Sequence, residues 1–251
     1  MHRLFVLAAL SLTCCSAFAN PGGCNVDVES KYDLALNERS VILTRDSGAP
    51  KAIVMRQGRM FVDDAWVTLS AADHQRIAAF ERGARAAMPE AQAIGRAAAE
   101  IAFTTLGEVA AGFSSDPAGS QARLAKARTQ LDARLARSVT ATRFDGRDLG
   151  NGISQAVGAV LPSMIGDIVG GAISAAFSGD ASRLKQMENL DAQIEAKVQP
   201  RARALEQQAE GLCRRMIALD AIDNALEYRH RRQPLDLLRI EPGHPNRHGR
   251  D

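Results

Sequence analysis

Residues with the types and spacing of catalytic groups are scarce in this sequence. Ser182 and Lys185 match the Ser-x-x-Lys pattern of penicillin-recognising enzymes, but the Ser-Asp-Asn and Lys-Thr-Gly elements that complete such a site are absent. The sequence also lacks the Gly-x-Ser-x-Gly turn that exposes the nucleophile of α/β-hydrolases. We therefore interpret Ser182 to Lys185 as one exposed turn of a helix.

Metal and phosphate sites are no better supported by spacing. His244 and His248 are four residues apart, but Pro245 opposes the helix that would align their rings. Gly166 and Gly170 lack the Lys and Ser/Thr of a phosphate-binding loop and do not follow a strand. We therefore predict no catalytic residue, no cofactor and no metal ligand, and we expect that the protein is not an enzyme.

The N-terminus has the three parts of a cleavable secretory signal peptide. A short basic start precedes an unbroken apolar run from Leu4 to Cys15, and small residues at Ala17 and Ala19 predict cleavage before Asn20. The run is shorter than the ~20 residues that a stable membrane anchor needs. A buried N-terminal helix and a lipoprotein are the alternatives, although the cysteines here do not follow the Gly or Ala usual at a lipidation site.

Removal of this leader changes the charge balance of the chain. The leader holds one basic residue and no acidic one, so the formal net charge falls from +2 to +1. A nearly neutral chain gives no global electrostatic argument for binding nucleic acid. We therefore expect a periplasmic protein that does not bind nucleic acid.

Two cysteines, Cys24 and Cys213, remain in the mature chain. An even pair in an oxidising compartment most simply forms one disulfide. Two buried free thiols are the alternative, and a metal site is disfavoured because no histidine lies at ligand spacing from either cysteine. The predicted bond would close almost the whole mature chain into one loop.

A change in composition near Ser70 divides the mature chain. Before it, short runs of β-branched and aromatic residues alternate with turn signals, which predicts short antiparallel strands. After it, Ala, Leu, Arg and Gln dominate, which favours helix. The predicted fold is α+β and mostly α, with a small N-terminal antiparallel β meander packed on a bundle of long helices. The predicted divisions are a signal peptide at 1–19, the meander at 20–69, a helical bundle at 70–230 with a Gly-rich apolar hairpin at 150–178, and a largely disordered tail at 231–251.

Three long helical stretches are predicted within the bundle. Ser70 is a good N-cap for the first, and Pro89 should kink it or start a new helix. The second covers 120–143 and is followed by a loop to Gly152. The last runs from Asp180 to about Tyr228. Apolar residues recur in it every seven positions, which supplies one of the two apolar positions of each coiled-coil heptad. This favours packing on its own domain, with a homodimer through this helix as the alternative. The seam residues are Val198, Leu205, Leu212, Leu219 and Leu226.

Two adjacent features are candidates for contact with lipid or a protein partner. Small residues recur every four positions in the Gly-rich segment 153–177, as in closely packed membrane helices, although a packed hairpin in a soluble protein is favoured. The helix 120–143 is basic and amphipathic, like helices that lie on anionic lipid. A solvated face that pairs with acids such as Glu188 and Glu195 is the favoured alternative. The candidate contact residues are Arg123, Lys126, Arg128, Arg134, Arg137, Gly158, Gly166 and Gly170.

Three stretches of the sequence follow one another in an order that resembles that of a known protein family. Arg56 to Asp64 runs through Val67 to Asp73 into a long helix, and the second cysteine lies late, in Leu212 to Arg215. With the exported leader and the early Cys24, this resembles the YggN-like family of proteobacterial envelope proteins, which has no assigned function. The resemblance covers nearly the whole mature chain. It implies a periplasmic protein and supplies no catalytic residue.

The expected function follows from these observations. We predict a non-catalytic binding or scaffolding protein whose partner is an envelope protein or lipid. One alternative is a membrane-surface protein that uses the basic helix 120–143 and the Gly-rich segment 153–177. A second alternative is an enzyme whose site has no recognised sequence pattern.

Overall fold

The computed structural model describes Cys24 and residues 26–145, 165–171, 173–174 and 189–242. The predicted signal peptide, Gly158 and most of the Gly-rich segment lie outside these residues. Within them, no helix has both the length and the apolarity needed to cross a membrane. The fold is α+β and mostly α, with an N-terminal antiparallel meander against long helices, as predicted.

Short strands form the N-terminal meander because β-branched and aromatic residues alternate with tight turns. Strands β2 to β6 pair in chain order, each antiparallel to the next. Alternate side chains of the central strands, such as Val41, Ile53 and Met60, are fully buried on one face. These N-terminal strands are β1 (Val26–Glu29), β2 (Asp33–Leu36), β3 (Val41–Thr44), β4 (Ala52–Arg56), β5 (Arg59–Val62) and β6 (Ala65–Trp66).

Helix α1 runs from Ala71 to Phe113 and lies under the meander. The Ser70 hydroxyl accepts the backbone N–H of Asp73 at 3.1 Å, which confirms the predicted N-cap. The helix continues through Pro89, so the start of a new helix there is wrong. Packing explains the continuity: Met88 is buried, and Glu90 binds Arg215 of the last helix, so tertiary contacts offset the local cost of proline.

Helix α2 runs from Pro117 to Ser138, with Asp116 as its N-cap. It is therefore shorter at its C-terminal end than the predicted 120–143. The predicted loop after it is also partly wrong, because β7 (Val139–Thr140) and β8 (Arg143–Asp145) form a hairpin that extends the sheet through β2. The strands form because Val139 is buried beside Leu36, and Phe144 packs against the same cluster.

Helix α3 runs from Leu190 to Asn224 and packs antiparallel to α1. Two ion pairs fix that direction: Glu108 binds Lys197 with an O–N distance of 2.6 Å, and Glu90 binds Arg215 at 2.5 Å. Three of the five residues of the predicted apolar seam, Leu212, Leu219 and Leu226, pack into the core clusters of the chain itself. This agrees with packing on its own domain, which was favoured over a homodimer.

The C-terminal region folds back onto the meander. Strands β9 (Arg229–His230) and β10 (Gln233–Pro234) form a small hairpin, and β11 (Arg239–Pro242) pairs with β1. Leu235, Leu237 and Leu238 are buried in the main core. Residues 231–242 are thus ordered, contrary to the predicted largely disordered tail, because these leucines supply the apolar surface that the surrounding Pro, Arg and His lack.

Two buried carboxylates hold the end of α3. Asp73 accepts the backbone N–H groups of Glu227 and Tyr228 at 3.1 and 2.8 Å, and it binds Arg76 at 2.9 Å. Asp223 accepts the N–H groups of Leu237 and Leu238 at 2.8 and 3.3 Å. Because each carboxylate meets backbone donors, the chain after α3 is fixed by hydrogen bonds as well as by apolar packing.

The predicted disulfide between Cys24 and Cys213 is confirmed. The two Cα atoms are 6.1 Å apart, and the residues are separated by 189 positions in the chain. The bond joins Cys24, the first described residue, to α3. It therefore closes the meander, α1 and α2 into one covalent loop.

Candidate functional site

A groove lies where the meander meets α1. Its floor is one face of the helix, since Ala78, Glu81, Arg82 and Arg85 follow the spacing that brings side chains to one side. Its walls are the β2–β3 turn and the β4–β5 turn, which an antiparallel meander places at the same end of the sheet. The groove has a volume of about 380 Å³, a size typical of small-molecule sites.

The β4–β5 turn is held on α1 by a buried carboxylate. Glu81 accepts the backbone N–H groups of Gln57 at 3.1 Å and of Gly58 at 2.8 Å. Both turn residues have positive φ, as a two-residue turn that follows the sheet twist requires. A Cβ atom at Gly58 would lie 2.8 Å from the carbonyl oxygen of His74, so the close approach of α1 also requires glycine here.

The opposite wall is held by an arginine. The Arg85 guanidinium donates to the carbonyl oxygens of Asn37 at 2.6 Å and of Ala141 at 3.2 Å. It therefore joins α1 both to the β2–β3 turn and to the β7–β8 hairpin. Glu81 and Arg85 lie one helical turn apart, so a single turn of α1 fixes both walls of the groove.

The remaining cations of the groove have no partner among the residues that the structure describes. Arg39 lies in the β2–β3 turn, Arg56 ends β4, and Arg82 lies on α1, and none of the three guanidinium groups makes an ion pair or hydrogen bond with a described residue. Glu38 lines the groove as well and is likewise unpaired within the described ranges. With Arg85 and Glu81, the lining carries four positive and two negative charges.

These arginines were missed at the level of sequence because they are 17 and 26 residues apart along the chain. Only the pairing of the strands brings the two turns together over α1. A partial signal was present, because Glu81, Arg82 and Arg85 lie close together on the helix predicted to begin at Ser70. That pattern does not show which turn meets the helix.

The predicted contact residues of the basic helix fall into two groups. Arg123 binds Asp167, and Arg128 binds Glu100 of α1, so two of the five charges are neutralised within the chain. These partners, Asp167 and Glu100, differ from the predicted acids Glu188 and Glu195. Lys126 is exposed, and neither it nor Arg134 has a partner among the described residues. The Arg137 guanidinium donates to the carbonyl oxygen of Ala133 in its own helix.

The glycines of the predicted small-residue stripe differ in their surroundings. Gly166 and Gly170 lie on helical residues 165–171, and an added Cβ at either would meet no atom within 4 Å. Gly171 provides the close approach instead, because a Cβ there would clash with the carbonyl oxygen of Phe113. Contact of Gly166 and Gly170 with a partner stays a prediction, and Gly158 lies outside the described residues.

In the part of the chain that the structure describes, no group of three His, Cys, Asp or Glu side chains could hold a metal ion.

The fold and the groove define a class: a disulfide-closed α+β protein with a cationic groove between a meander and a long helix. The chain belongs to the DUF2884 family of proteins of unknown function, and the match covers residues 24–238. It thus extends from the first disulfide cysteine to the buried Leu238. No curated protein and no solved structure is significantly similar to the chain.

Proposed function

We propose that this chain is an exported periplasmic protein that binds an anionic ligand or partner without catalysis, as a member of the YggN-like group of proteobacterial envelope proteins. The observation that carries the proposal is the groove lined by Arg39, Arg56 and Arg82, whose guanidinium groups have no partner among the described residues. Guanidinium groups that the fold leaves unpaired favour the binding of anions from outside the chain.

The chemistry of the groove favours binding over turnover. An arginine stays protonated throughout the physiological range, so it binds and orients anions but does not shuttle protons. The buried Glu81 is engaged by two backbone N–H groups, and Arg85 by two carbonyl oxygens. These two residues therefore maintain the shape of the groove, and the three guanidinium groups that no described residue pairs with remain for the ligand.

Export is supported by two independent features. The first is the leader-like sequence at 1–19, and the second is the Cys24–Cys213 disulfide, a bond that persists in oxidising compartments such as the periplasm. Cleavage before Asn20 leaves Cys24 only a few residues from the new N-terminus. The disulfide would then fix that N-terminus to α3.

Fractionation of cells that express the full chain tests the proposal of export. We expect the protein in the periplasmic fraction, with Asn20 as its first residue and with no thiol that reacts before reduction. The matched control is a chain without residues 2–19, which should stay in the cytoplasm with two reactive thiols. A full chain that keeps its leader in the cytoplasmic fraction would contradict export.

A second candidate function, association with a membrane surface, is favoured by one further observation. Ile165, Val169 and Ile173 recur every four residues within the Gly-rich segment 153–177, and each is about half exposed. Asp167 on the same segment binds Arg123 of α2. An apolar ridge thus lies beside a basic helix, the combination that allows a helix to lie in a lipid interface.

Flotation with anionic vesicles tests the membrane-surface function. If it holds, the mature chain floats at low salt, and the double substitution Val169→Asp with Ile173→Asp lowers its partition coefficient by at least about tenfold because it removes two apolar contacts. Ile217→Asp is the matched control, since Ile217 is an exposed apolar residue on α3. Wild-type protein that stays with the soluble fraction at both low and high salt would exclude this function.

A further inference from the structure

We propose that the groove is a binding site for a phosphoryl group, carried either by a small phosphate ester or by a lipid headgroup. This inference rests on the proposed function and deepens it by naming the ligand chemistry. It depends on the position of Arg39, Arg56 and Arg82 around one groove, where their guanidinium groups have no partner among the residues that the structure describes.

The number and origin of the arginines favour phosphate over carboxylate. A carboxylate has two oxygens and is satisfied by one guanidinium fork. A phosphate monoester has three terminal oxygens and a charge of about −1.5 to −2 at neutral pH. Arg39, Arg56 and Arg82 come from a turn, a strand end and a helix, so they approach the groove from three directions. Three guanidinium groups that line one groove supply enough donors for the three terminal oxygens of a phosphoryl group.

The charge balance of the groove fits the same ligand. Its four arginines exceed its two glutamates by two charges, which a phosphate dianion neutralises. Glu81 is bound to the β4–β5 turn, so its charge is partly neutralised by backbone N–H groups. Glu38 is exposed at the β2–β3 turn, where its carboxylate can accept a hydrogen bond from a hydroxyl of the group that carries the phosphate.

The groove is held in shape before any ligand binds. Glu81 fixes one wall and Arg85 fixes the other, through bonds of 2.6–3.2 Å to backbone atoms. A ligand therefore orders only three arginine side chains and not the backbone that carries them, which limits the entropic cost of binding. The volume of about 380 Å³ accommodates a phosphate with a small headgroup.

Calorimetric titration of the mature, disulfide-bonded chain with pyrophosphate and with glycerol phosphate at low ionic strength tests the site. We expect saturable binding of one ligand per chain. Arg82→Gln and Arg56→Gln should each weaken it by about tenfold, the effect of losing one charge-assisted contact. Arg96→Gln is the matched control, because Arg96 is exposed on the same helix and lies outside the groove. It should leave the affinity unchanged.

The two sources of the phosphoryl group are separated by a second arm. Vesicles of phosphatidic acid in phosphatidylcholine should bind the wild-type chain, but not the Arg56→Gln, Arg82→Gln double variant, if a lipid headgroup is the ligand. Binding of the soluble esters alone would assign a small phosphate ester. If Arg82→Gln fails to fold, Arg39→Gln supplies the same test, since Arg39 lies in an exposed turn.

Absence of saturable binding to both soluble esters and vesicles would overturn the phosphoryl site, as would equal weakening by Arg96→Gln. The proposed function fails by a different result. If the chain is not exported, or if its association with envelope components does not depend on Arg56 and Arg82, the groove is not the binding site of an envelope protein, whatever its affinity for phosphate.

Discussion

Replacing Cys213 by serine is expected to lower the free energy of unfolding by about 2–5 kcal/mol, the range for loss of a native disulfide. The physical reason is the length of the loop: the bond joins residues 189 positions apart, so its loss releases a large amount of chain entropy in the unfolded state. Urea unfolding of the mature chain, followed by circular dichroism, measures the change through its midpoint.

The matched control for this prediction is Cys24→Ser, which breaks the same bond from its other end. Both single variants and the double variant should have the same stability, and wild-type protein with a reductant should match all three. A Cys213→Ser chain with the wild-type midpoint would contradict the prediction. It would mean that packing of Leu212 and its neighbours holds α3 without the covalent link.

The second large effect concerns pH and Asp223. This side chain is only 3% exposed, and one of its oxygens has no hydrogen-bond partner among the described residues. Burial raises the pKa of Asp223 to about 7, although bonds from Leu237 and Leu238 lower it, and the nearby Asp236 and Asp220 raise it further. The carboxyl group therefore holds its proton in the folded chain over a range in which the unfolded chain has released it.

The sign of the pH effect follows from that difference. Asp223 releases its proton near pH 4 in the unfolded chain and near pH 7 in the folded chain. Its contribution to stability is therefore greatest below pH 4, falls as the pH rises to 7 and is constant above that. The loss is on the order of 4 kcal/mol. Asp223→Asn keeps an oxygen for the Leu237 N–H and should remove this slope.

Urea unfolding of wild type and Asp223→Asn at a series of pH values from 4 to 8 measures the effect. Asp73 acts in a separate window. Burial alone would raise its pKa, but bonds from Glu227, Arg76 and Tyr228 lower it below the usual range, so its stabilisation is lost only as the pH falls below about 4. If the stability of wild type and of Asp223→Asn falls with the same slope between pH 4 and 7, Asp223 is not the group responsible for the pH effect.

Features that depend on local sequence were predictable. The alternation of apolar residues from Val41 to Val62 indicated the meander, and Ser70 indicated the start of α1. The disulfide was predictable too, because a chain predicted to be exported and to keep only Cys24 and Cys213 most simply pairs these two cysteines. In each case the residues carry the signal without knowledge of their distant neighbours.

Features that depend on distant partners were not predictable from the pattern. Val139 and Phe144 form strands because the edge of β2 and the apolar surface of Leu36 lie beside them. Leu235, Leu237 and Leu238 look like part of a polar tail until the core and Asp223 supply their contacts. The groove arginines belong to the same group, since two separate turns must meet α1 before their charges converge.

The central claim is that the groove binds an anion through Arg39, Arg56 and Arg82. Nuclear magnetic resonance of the arginine side chains tests this claim most directly. Their Nε–Hε signals can be followed while pyrophosphate is added to the mature, disulfide-bonded chain at low ionic strength. The account predicts that the signals of these three residues shift together along one saturating curve, while that of Arg96 does not move. Small, unsaturated shifts of equal size at all arginines would contradict the claim, because they would show general screening of charge instead of a site.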